Sequence, residues 1–208
     1  MDFRTPSDHG TPAPGAAASR RRAESLAKIN AAARRLFVAR GYHATRPQDI
    51  ARHAGIGHGT FYLHYKDKRA CFLAFVEEAR AELLGFIRMR VAPSLPLEET
   101  VSRTLSAVYE YSDANPGVLR AAMADEAVID AAGACATSLQ QRWGRDWAEH
   151  IRAGAAARTV AGDYDPDIVG QAIVGAIHQC RLEADCSGRS RSDVIGNLTR
   201  FLVRALRP

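Results

Sequence analysis

The segment ATRPQDIARHAGIGHGTFYLHYKDK, residues 44–68, constrains this chain more than any other part of its sequence. It contains two short helical patterns separated by a turn that includes Gly55. Pro47 can begin the first helix, because its missing N–H would have no helical partner at that position. Gly55 can adopt the left-handed conformation that ends a helix, and the apolar Ile56 follows it in the turn. The segment therefore predicts a helix-turn-helix.

The second of these helices, predicted over about Gly57–Tyr65, carries polar side chains that suit contact with DNA. Four of its side chains can form hydrogen bonds to phosphates or base edges: His58, Thr60, Tyr62 and His64. Phe61 and Tyr65 are four residues apart, so they share a helix face and can anchor the helix to its neighbours.

Helical patterns flank this segment on both sides. Before it, SLAKINAAARRLFVARGY has apolar residues at helical spacing and stops at Gly41. After it, KDKRACFLAFVEEARAELLGFIRMR predicts a long helix with a basic first turn. Together, residues 24–75 resemble the DNA-binding domain of the TetR family of bacterial transcriptional repressors. The resemblance rests on AARRLFVARGY, on T..PQDIARHAGIGHGTFYLHYKDK and on the apolar helix start that follows, in that order and without gaps.

The resemblance implies DNA contacts for seven residues: Gln48, His58, Gly59, Thr60, Tyr62, His64 and Lys68. It implies that Lys68 binds a phosphate from the start of the fourth helix. It also implies that His58 and Gly59 form the base-facing start of the recognition helix. The partner would be double-stranded operator DNA, and a two-fold dimer suits a palindromic operator.

The charge of the chain is unevenly distributed. Residues 1–70 hold 13 Lys and Arg against 5 Asp and Glu, a net charge of +8. Residues 71–208 hold 15 against 18, a net charge of −3. A basic module joined to a mildly acidic one suits a protein whose first part meets phosphates and whose second part does not.

Beyond residue 68 the sequence shows helical patterns only, so the predicted fold class is all-α with about nine helices. Residues 1–19, rich in Pro, Ala, Gly and Ser, are predicted to be a disordered tail. Residues 20–67 are assigned to the helix-turn-helix DNA-binding domain, and residues 68–208 to a helical effector-binding and dimerisation domain. One long helix is predicted over about Ala127–Ala157, with Gly133 or Gly144 as places where it could be disturbed.

Three consecutive arginines, Arg20, Arg21 and Arg22, lie where the predicted tail meets the first helix. Such an arm could reach along the DNA backbone or into a minor groove. A solvated, basic helix start explains the same residues equally well. The sequence leaves these two alternatives open.

The last two predicted helices carry apolar stripes that suit contact with a second subunit. The first stripe is broad enough to pack inward and outward at once, and Gly170 and Gly175 could allow close backbone approach. Two such helices from each of two subunits would form a four-helix homodimer interface, an arrangement that the resemblance also implies. The predicted interface residues are Val169, Ile173, Ile177, Leu198, Phe201 and Leu202. Completion of the subunit's own core accounts for part of both stripes.

The middle helices carry aromatic residues and a methionine, which suit the lining of a small-molecule pocket. The resemblance implies such a pocket in this region. The predicted pocket residues are Tyr109, Met123, Trp143, Trp147 and His178. An ordinary place in the hydrophobic core is the alternative for each of them.

Other functional classes have little support in the sequence. The run Gly55–Gly59 lacks the preceding strand that a phosphate-binding loop requires, and no familiar catalytic motif is present, so no enzyme is predicted. Asp163, Asp165 and Asp167 lack the spacing of a calcium loop, and the four cysteines lack zinc spacing. No metal or cofactor is therefore predicted. The sequence has neither a secretory signal nor a membrane span, so we expect a cytoplasmic protein without a membrane partner.

Together these patterns and the TetR resemblance imply a dimeric transcriptional regulator. We expect a repressor that binds a palindromic operator and is released from it by a small, largely apolar effector. A transcriptional activator and an effector-independent DNA-binding protein are the alternatives. A purely architectural DNA-binding protein would not need a second domain of about 140 residues.

Overall fold

The computed structural model describes residues 14–92, 95–124 and 138–208, and these residues form nine α-helices and no strand. The all-α prediction is confirmed. The helices are α1 (Pro14–Arg40), α2 (Pro47–Ala54), α3 (His58–Tyr62), α4 (Lys68–Arg88), α5 (Leu97–Ala114), α6 (Val118–Met123), α7 (Leu139–Ala156), α8 (Pro166–Ser187) and α9 (Arg191–Ala205). No helix in these ranges is long and apolar enough to cross a membrane.

The first helix begins earlier than the sequence predicts. The predicted disordered tail covers residues 1–19, whereas α1 already begins at Pro14. Residues 16–18 are three consecutive alanines, and alanine has the highest helix propensity of all residues, so this part of the tail prediction is wrong. Residues 1–13 lie outside the described ranges.

The prediction of one long helix over Ala127–Ala157 is wrong, because α7 begins within that range and has Ser138 as its N-cap. Ser138 Oγ accepts a hydrogen bond of 3.1 Å from the backbone N–H of Gln141. In return, the Ser138 N–H donates to Gln141 Oε1 at 3.0 Å. This capping box fits an extended Ser138, whose ψ is 161°, and an extended residue cannot lie inside a continuous helix. Gly144 does not interrupt α7, and the predicted disturbance at Gly133 lies outside the described residues.

The N-terminal module packs around apolar side chains from each of its first four helices. The fully buried contributors are Ile29 and Phe37 of α1, Ile50 of α2, Phe61 of α3 and Phe72 of α4. The rings of Phe37 and Phe72 meet edge to face with their centroids 5.1 Å apart. Because α4 belongs to this core and then continues unbroken to Arg88, it physically joins the N-terminal module to the rest of the chain.

Four residues of the predicted dimer interface fill the core of their own subunit instead. Ile173 and Ile177 of α8, and Leu198 and Leu202 of α9, are almost fully buried within the single chain. The apolar stripes of the last two helices are buried inside the subunit, because α8 packs on α7, and α9 packs on both α5 and α8. Val169 is half-buried, whereas the side chain of Phe201 is 63% exposed.

Candidate DNA-binding surface and ligand pocket

The turn between α2 and α3 has the predicted geometry. Gly55 ends α2 in the left-handed conformation, with φ 66° and ψ 35°. The N–H of the next residue, Ile56, donates to the Ala51 carbonyl at 3.1 Å and closes the turn. Neither α2 nor α3 has a side-chain cap, because Arg46 and Gly57 occupy their N-cap positions.

The recognition helix α3 is shorter than predicted, with only five residues. A helix of this length has no stability of its own in water, so its neighbours must hold it in place. Phe61 is completely buried, and the Tyr65 hydroxyl donates to Asn30 Oδ1 of α1 at 2.7 Å. Burial raises the pKa of Tyr65 to about 12, which keeps this donor protonated. These two anchors leave the other face of α3 to solvent.

Residues implied to contact bases lie on this solvent face. Gln48 of α2 is exposed, as are His58, Gly59 and Tyr62 of α3. The rings of His58 and Tyr62 meet edge to face at 5.1 Å, and Thr60 between them is half-buried. A Cβ atom on Gly59 would have no neighbour within 4 Å, so the fold itself does not require glycine there.

His64 and Lys68 lie at the edge of this face and are held by contacts that the sequence did not predict. His64 Nε2 lies 2.7 Å from Ser25 Oγ of α1. Lys68 Nζ donates to the Tyr42 carbonyl at 2.9 Å and lies 4.0 Å from the centroid of the Tyr42 ring. The start of α4 is fixed as well, since Asp67 Oδ1 accepts a hydrogen bond from the Ala70 N–H.

Leu63 is a surface residue of this region that the sequence analysis missed. Its side chain directly follows α3 and is 72% exposed. A signal was present in the sequence, because Leu63 is a large apolar residue between the polar Tyr62 and His64, away from the buried face of Phe61. An apolar side chain at this place can contact the methyl group of a thymine in the major groove.

A polar network braces the N-terminal module against the helices that follow. Arg34 of α1 donates to both carboxylate oxygens of Glu82 in α4, at 2.8 and 2.9 Å, and to Asn115 Oδ1 at 3.0 Å. The Tyr111 hydroxyl of α5 donates to Glu82 Oε2 at 2.7 Å. Burial alone would raise the pKa of Glu82, but the hydrogen bonds from Arg34 and Tyr111 outweigh it, and the pKa is lowered. The brace therefore joins α1, α4 and α5 around an ionised carboxylate.

A cavity of about 370 Å³ lies between α4, α5 and α7, within the size range of small-molecule sites. Its lining includes Leu84, Ile87 and Arg88 of α4, Thr100 and Thr104 of α5, and Trp143, Trp147 and His150 of α7. The two tryptophans are therefore the predicted pocket residues that the structure brings to this cavity.

The other three predicted pocket residues lie elsewhere. Tyr109 is buried on α5 and lies 5.4 Å from the Arg191 guanidinium, while Met123 and His178 are half-buried on α6 and α8. The sequence missed His150, although it follows Trp147 by three residues and so shares its helix face. Burial lowers the pKa of His150, which favours its neutral form in a cavity that Arg88, Asp146 and Glu149 also line.

A helix-turn-helix module that continues through one long helix into an all-helical domain defines the class of helix-turn-helix transcriptional regulators. Residues 29–75 match the family described as bacterial regulatory proteins, tetR family. Residues 29–75 of this chain therefore form a DNA-binding domain of the tetR type.

Relatives agree with this assignment. Over 80 residues the chain is 34% identical to the uncharacterised HTH-type transcriptional regulator YhgD of Bacillus subtilis strain 168, and the match covers 38% of this chain and 42% of YhgD. A protein of Shewanella sp. PV-4 assigned to the tetR family has a similar structure, with a TM-score of 0.70 at 21% identity over 88% of this chain and 97% of that one. TylP, a TetR regulator from Streptomyces fradiae, gives a TM-score of 0.67 at 20% identity over 89% and 88%. At these identities the two structures show a common fold.

Proposed function

We propose that this protein is a ligand-responsive transcriptional repressor that binds a palindromic operator as a homodimer and is released by a small, largely apolar effector. The observation that carries the proposal is the path of α4. This helix begins with Lys68 beside the DNA-binding surface, and near its other end Leu84, Ile87 and Arg88 line the cavity. An operator-binding repressor of this kind would work in the cytoplasm.

A single rigid element can transmit the signal between these two sites. The 21 residues of α4 span roughly 30 Å at 1.5 Å per residue. A ligand that fills the cavity would displace the cavity end of α4, and the displacement would tilt the end that carries Lys68. Because Arg34 ties α1 to Glu82 of α4, the whole N-terminal module would follow the helix.

The tilt matters because a dimer presents two recognition helices. Both must enter major grooves at a fixed separation, so a change in their spacing impairs simultaneous docking. An effector drives the change only if it binds the tilted state more tightly than the DNA-bound state. A hundredfold loss of operator affinity requires about 2.7 kcal/mol of coupling. At about 25 cal/mol per Å², roughly 110 Å² of additional apolar burial in the tilted state supplies this coupling.

Exposed apolar side chains on the last two helices support the dimer. Phe201 of α9 and Ile168 and Leu182 of α8 are large, exposed and apolar within the single subunit. A second copy of the same two helices would cover these residues and would set the distance between the two recognition helices.

The proposal is tested first by selecting bound sequences from random duplex DNA with the full-length protein. We expect an enriched palindrome, and recovery of no preferred sequence would contradict operator binding. Transcription in vitro from a promoter that contains the selected site then separates repression from activation.

Candidate effectors are added to the protein–operator complex in a second experiment. Reversible release supports a ligand-responsive regulator, whereas binding that no candidate changes favours an effector-independent one. Thermodynamic linkage requires operator DNA to weaken effector binding by the same factor, which Trp143 and Trp147 fluorescence can measure because both line the cavity.

A further inference from the structure

The N-terminal part of α1 extends beyond the packed module. The helix has 27 residues, but from residue 17 onward the first buried one is Ile29. Residues 18–24 are all exposed. We call residues 14–24 the N-terminal arm. Its eleven residues form roughly 16 Å of helix.

The arm is basic, and its residues 18–24 bury no apolar face. It carries Arg20, Arg21 and Arg22 against a single carboxylate, Glu24, which pairs with Arg20 at 3.6 Å. Neither Arg21 nor Arg22 forms an ion pair with any residue that the structure describes. Successive residues of a helix point about 100° apart, so the three guanidinium groups spread over roughly 200° of the helix surface. A helix segment without an apolar stripe gains no stability from packing against the fold, and this one has few internal ion pairs to stabilise it instead.

The position of the arm identifies that partner. Ser25, the first residue after the arm, contacts His64 at the end of the recognition region. Five residues further along α1, Asn30 accepts the hydrogen bond from Tyr65. The arm therefore starts where α1 meets the DNA-binding surface and continues past it.

We infer that the N-terminal arm is a second DNA-contacting element, in which Arg21 and Arg22 bind phosphates of the duplex that flanks each operator half-site. This inference rests on the proposed function. Arginine guanidinium groups recognise phosphate oxygens through charge-assisted, frequently bidentate hydrogen bonds. The 16 Å length of the arm corresponds to about five base pairs at 3.4 Å per base pair. Phosphate contacts carry no sequence information, so the arm adds affinity and footprint length but no base preference.

The test compares two duplexes that contain the selected operator. One is trimmed at the ends of the palindrome, and the other extends about ten base pairs further on each side. The full-length protein is measured together with an Arg21→Ala, Arg22→Ala variant. The matched control is Arg145→Ala, Arg207→Ala, which removes the same charge from exposed positions far along the chain.

We expect the unmodified protein and the control to bind the long duplex at least about tenfold more tightly than the trimmed one. The arm variant should bind both duplexes equally. For the long duplex, the slope of log K against log salt concentration should be less steep for this variant by about 0.9 for each phosphate contact that it has lost. Exchanging the flanking sequence should leave the affinity of the unmodified protein unchanged.

Three outcomes would overturn the inference. The arm variant could keep the full preference for the long duplex. It could also lose affinity for both duplexes by the same factor. Finally, the unmodified protein could prefer one flanking sequence, which would indicate groove contacts. Failure of the unmodified protein to prefer the operator at all would overturn the proposed function instead, so the two failures are distinguishable.

Discussion

Gly170 of α8 lies against the backbone of Gly144 in α7. A Cβ atom on Gly170 would overlap the Gly144 carbonyl oxygen and would stand only 2.9 Å from the backbone nitrogen of Ala148. Two backbones approach this closely only where no side chain separates them. The contact fixes how α7, which lines the cavity, packs on α8.

The first prediction compares two glycines of the same helix. Gly170→Ala should lower the free energy of unfolding by roughly 1–3 kcal/mol, because the new methyl group meets backbone that cannot move aside. Gly175→Ala, whose Cβ would have no neighbour within 4 Å, should raise it by about 0.5–1 kcal/mol through helix propensity. Urea denaturation measures both variants, and effects of the same sign would contradict this packing.

Gly59→Ala should separate stability from DNA binding. The added Cβ meets nothing inside the protein, so the substitution should stabilise α3 by roughly 0.5–1 kcal/mol. The same methyl group would stand between the helix backbone and the base edges, so operator affinity should fall by roughly 1 kcal/mol or more. Thermal unfolding and titration of the selected operator test the two halves. Unchanged operator affinity would mean that the backbone at Gly59 does not approach DNA.

We expect Leu63 to recognise a thymine of the operator by contacting the methyl group of that base. Replacing thymines of the selected operator by uracil, one at a time, removes a single methyl group at each position. We expect one substitution per half-site to weaken binding of the unmodified protein by about 0.8 kcal/mol, the value of one buried methylene. Leu63→Ala should bind the thymine and uracil duplexes equally. If the unmodified protein binds the thymine duplex and every uracil duplex equally, Leu63 does not contact a thymine methyl group.

A charge at Phe201 should prevent dimer formation without unfolding the subunit. Because Phe201 is largely exposed in the single chain, Phe201→Asp should leave helical circular dichroism unchanged while sedimentation shows a monomer. Leu198→Asp is the contrasting variant, because it buries an unpaired carboxylate and should unfold the chain. Sedimentation of the unmodified protein as a monomer at micromolar concentration would contradict the dimer.

The brace around Glu82 should give stability a defined dependence on pH. An unfolded Glu has a pKa of about 4.3, and the folded pKa is lower, so the contribution is present above pH 4.3 and is lost as pH falls through the folded value. The stability difference between the unmodified protein and Arg34→Met should therefore shrink as the pH falls from about 5 through the folded pKa of Glu82.

The matched control for this brace is Arg103→Met, which removes an exposed pair with Glu99 on α5. Such surface pairs contribute about 0–1 kcal/mol, so its effect on stability should be small at every pH. If the stability difference between the unmodified protein and Arg34→Met stays constant across this pH range, Glu82 is excluded as the titrating group.

Local signals explain which parts of the fold the sequence predicts well. The bounds of α5, Leu97–Ala114, follow from local signals, because Pro96 precedes its first residue and Pro116 lies two residues after its last. The α2–α3 turn is equally local, with Gly55 as its marker. Ser138 was missed although the S-x-x-Q pattern of its capping box is present, because the surrounding residues also suit a helix.

The functional residues were harder to predict where their surroundings come from distant parts of the chain. The partners of His64 and Lys68 lie 39 and 26 residues away, and no local pattern connects them. The apolar stripes of α8 and α9 could not distinguish a subunit's own core from a partner, because burial produces the same spacing in both cases. The exposure of Phe201, Ile168 and Leu182 in the single subunit separates the two.

The five-residue recognition helix is held by Phe61, with Tyr65 just beyond its end, while His58, Gly59, Tyr62 and Leu63 face solvent. The residues that fold this element are therefore separate from the residues that would read DNA. Exchange of the outer side chains leaves the hydrophobic core intact, so new operator preferences can arise by mutation without compensating changes elsewhere. The same division makes α3 a practical place for redesigning sequence specificity.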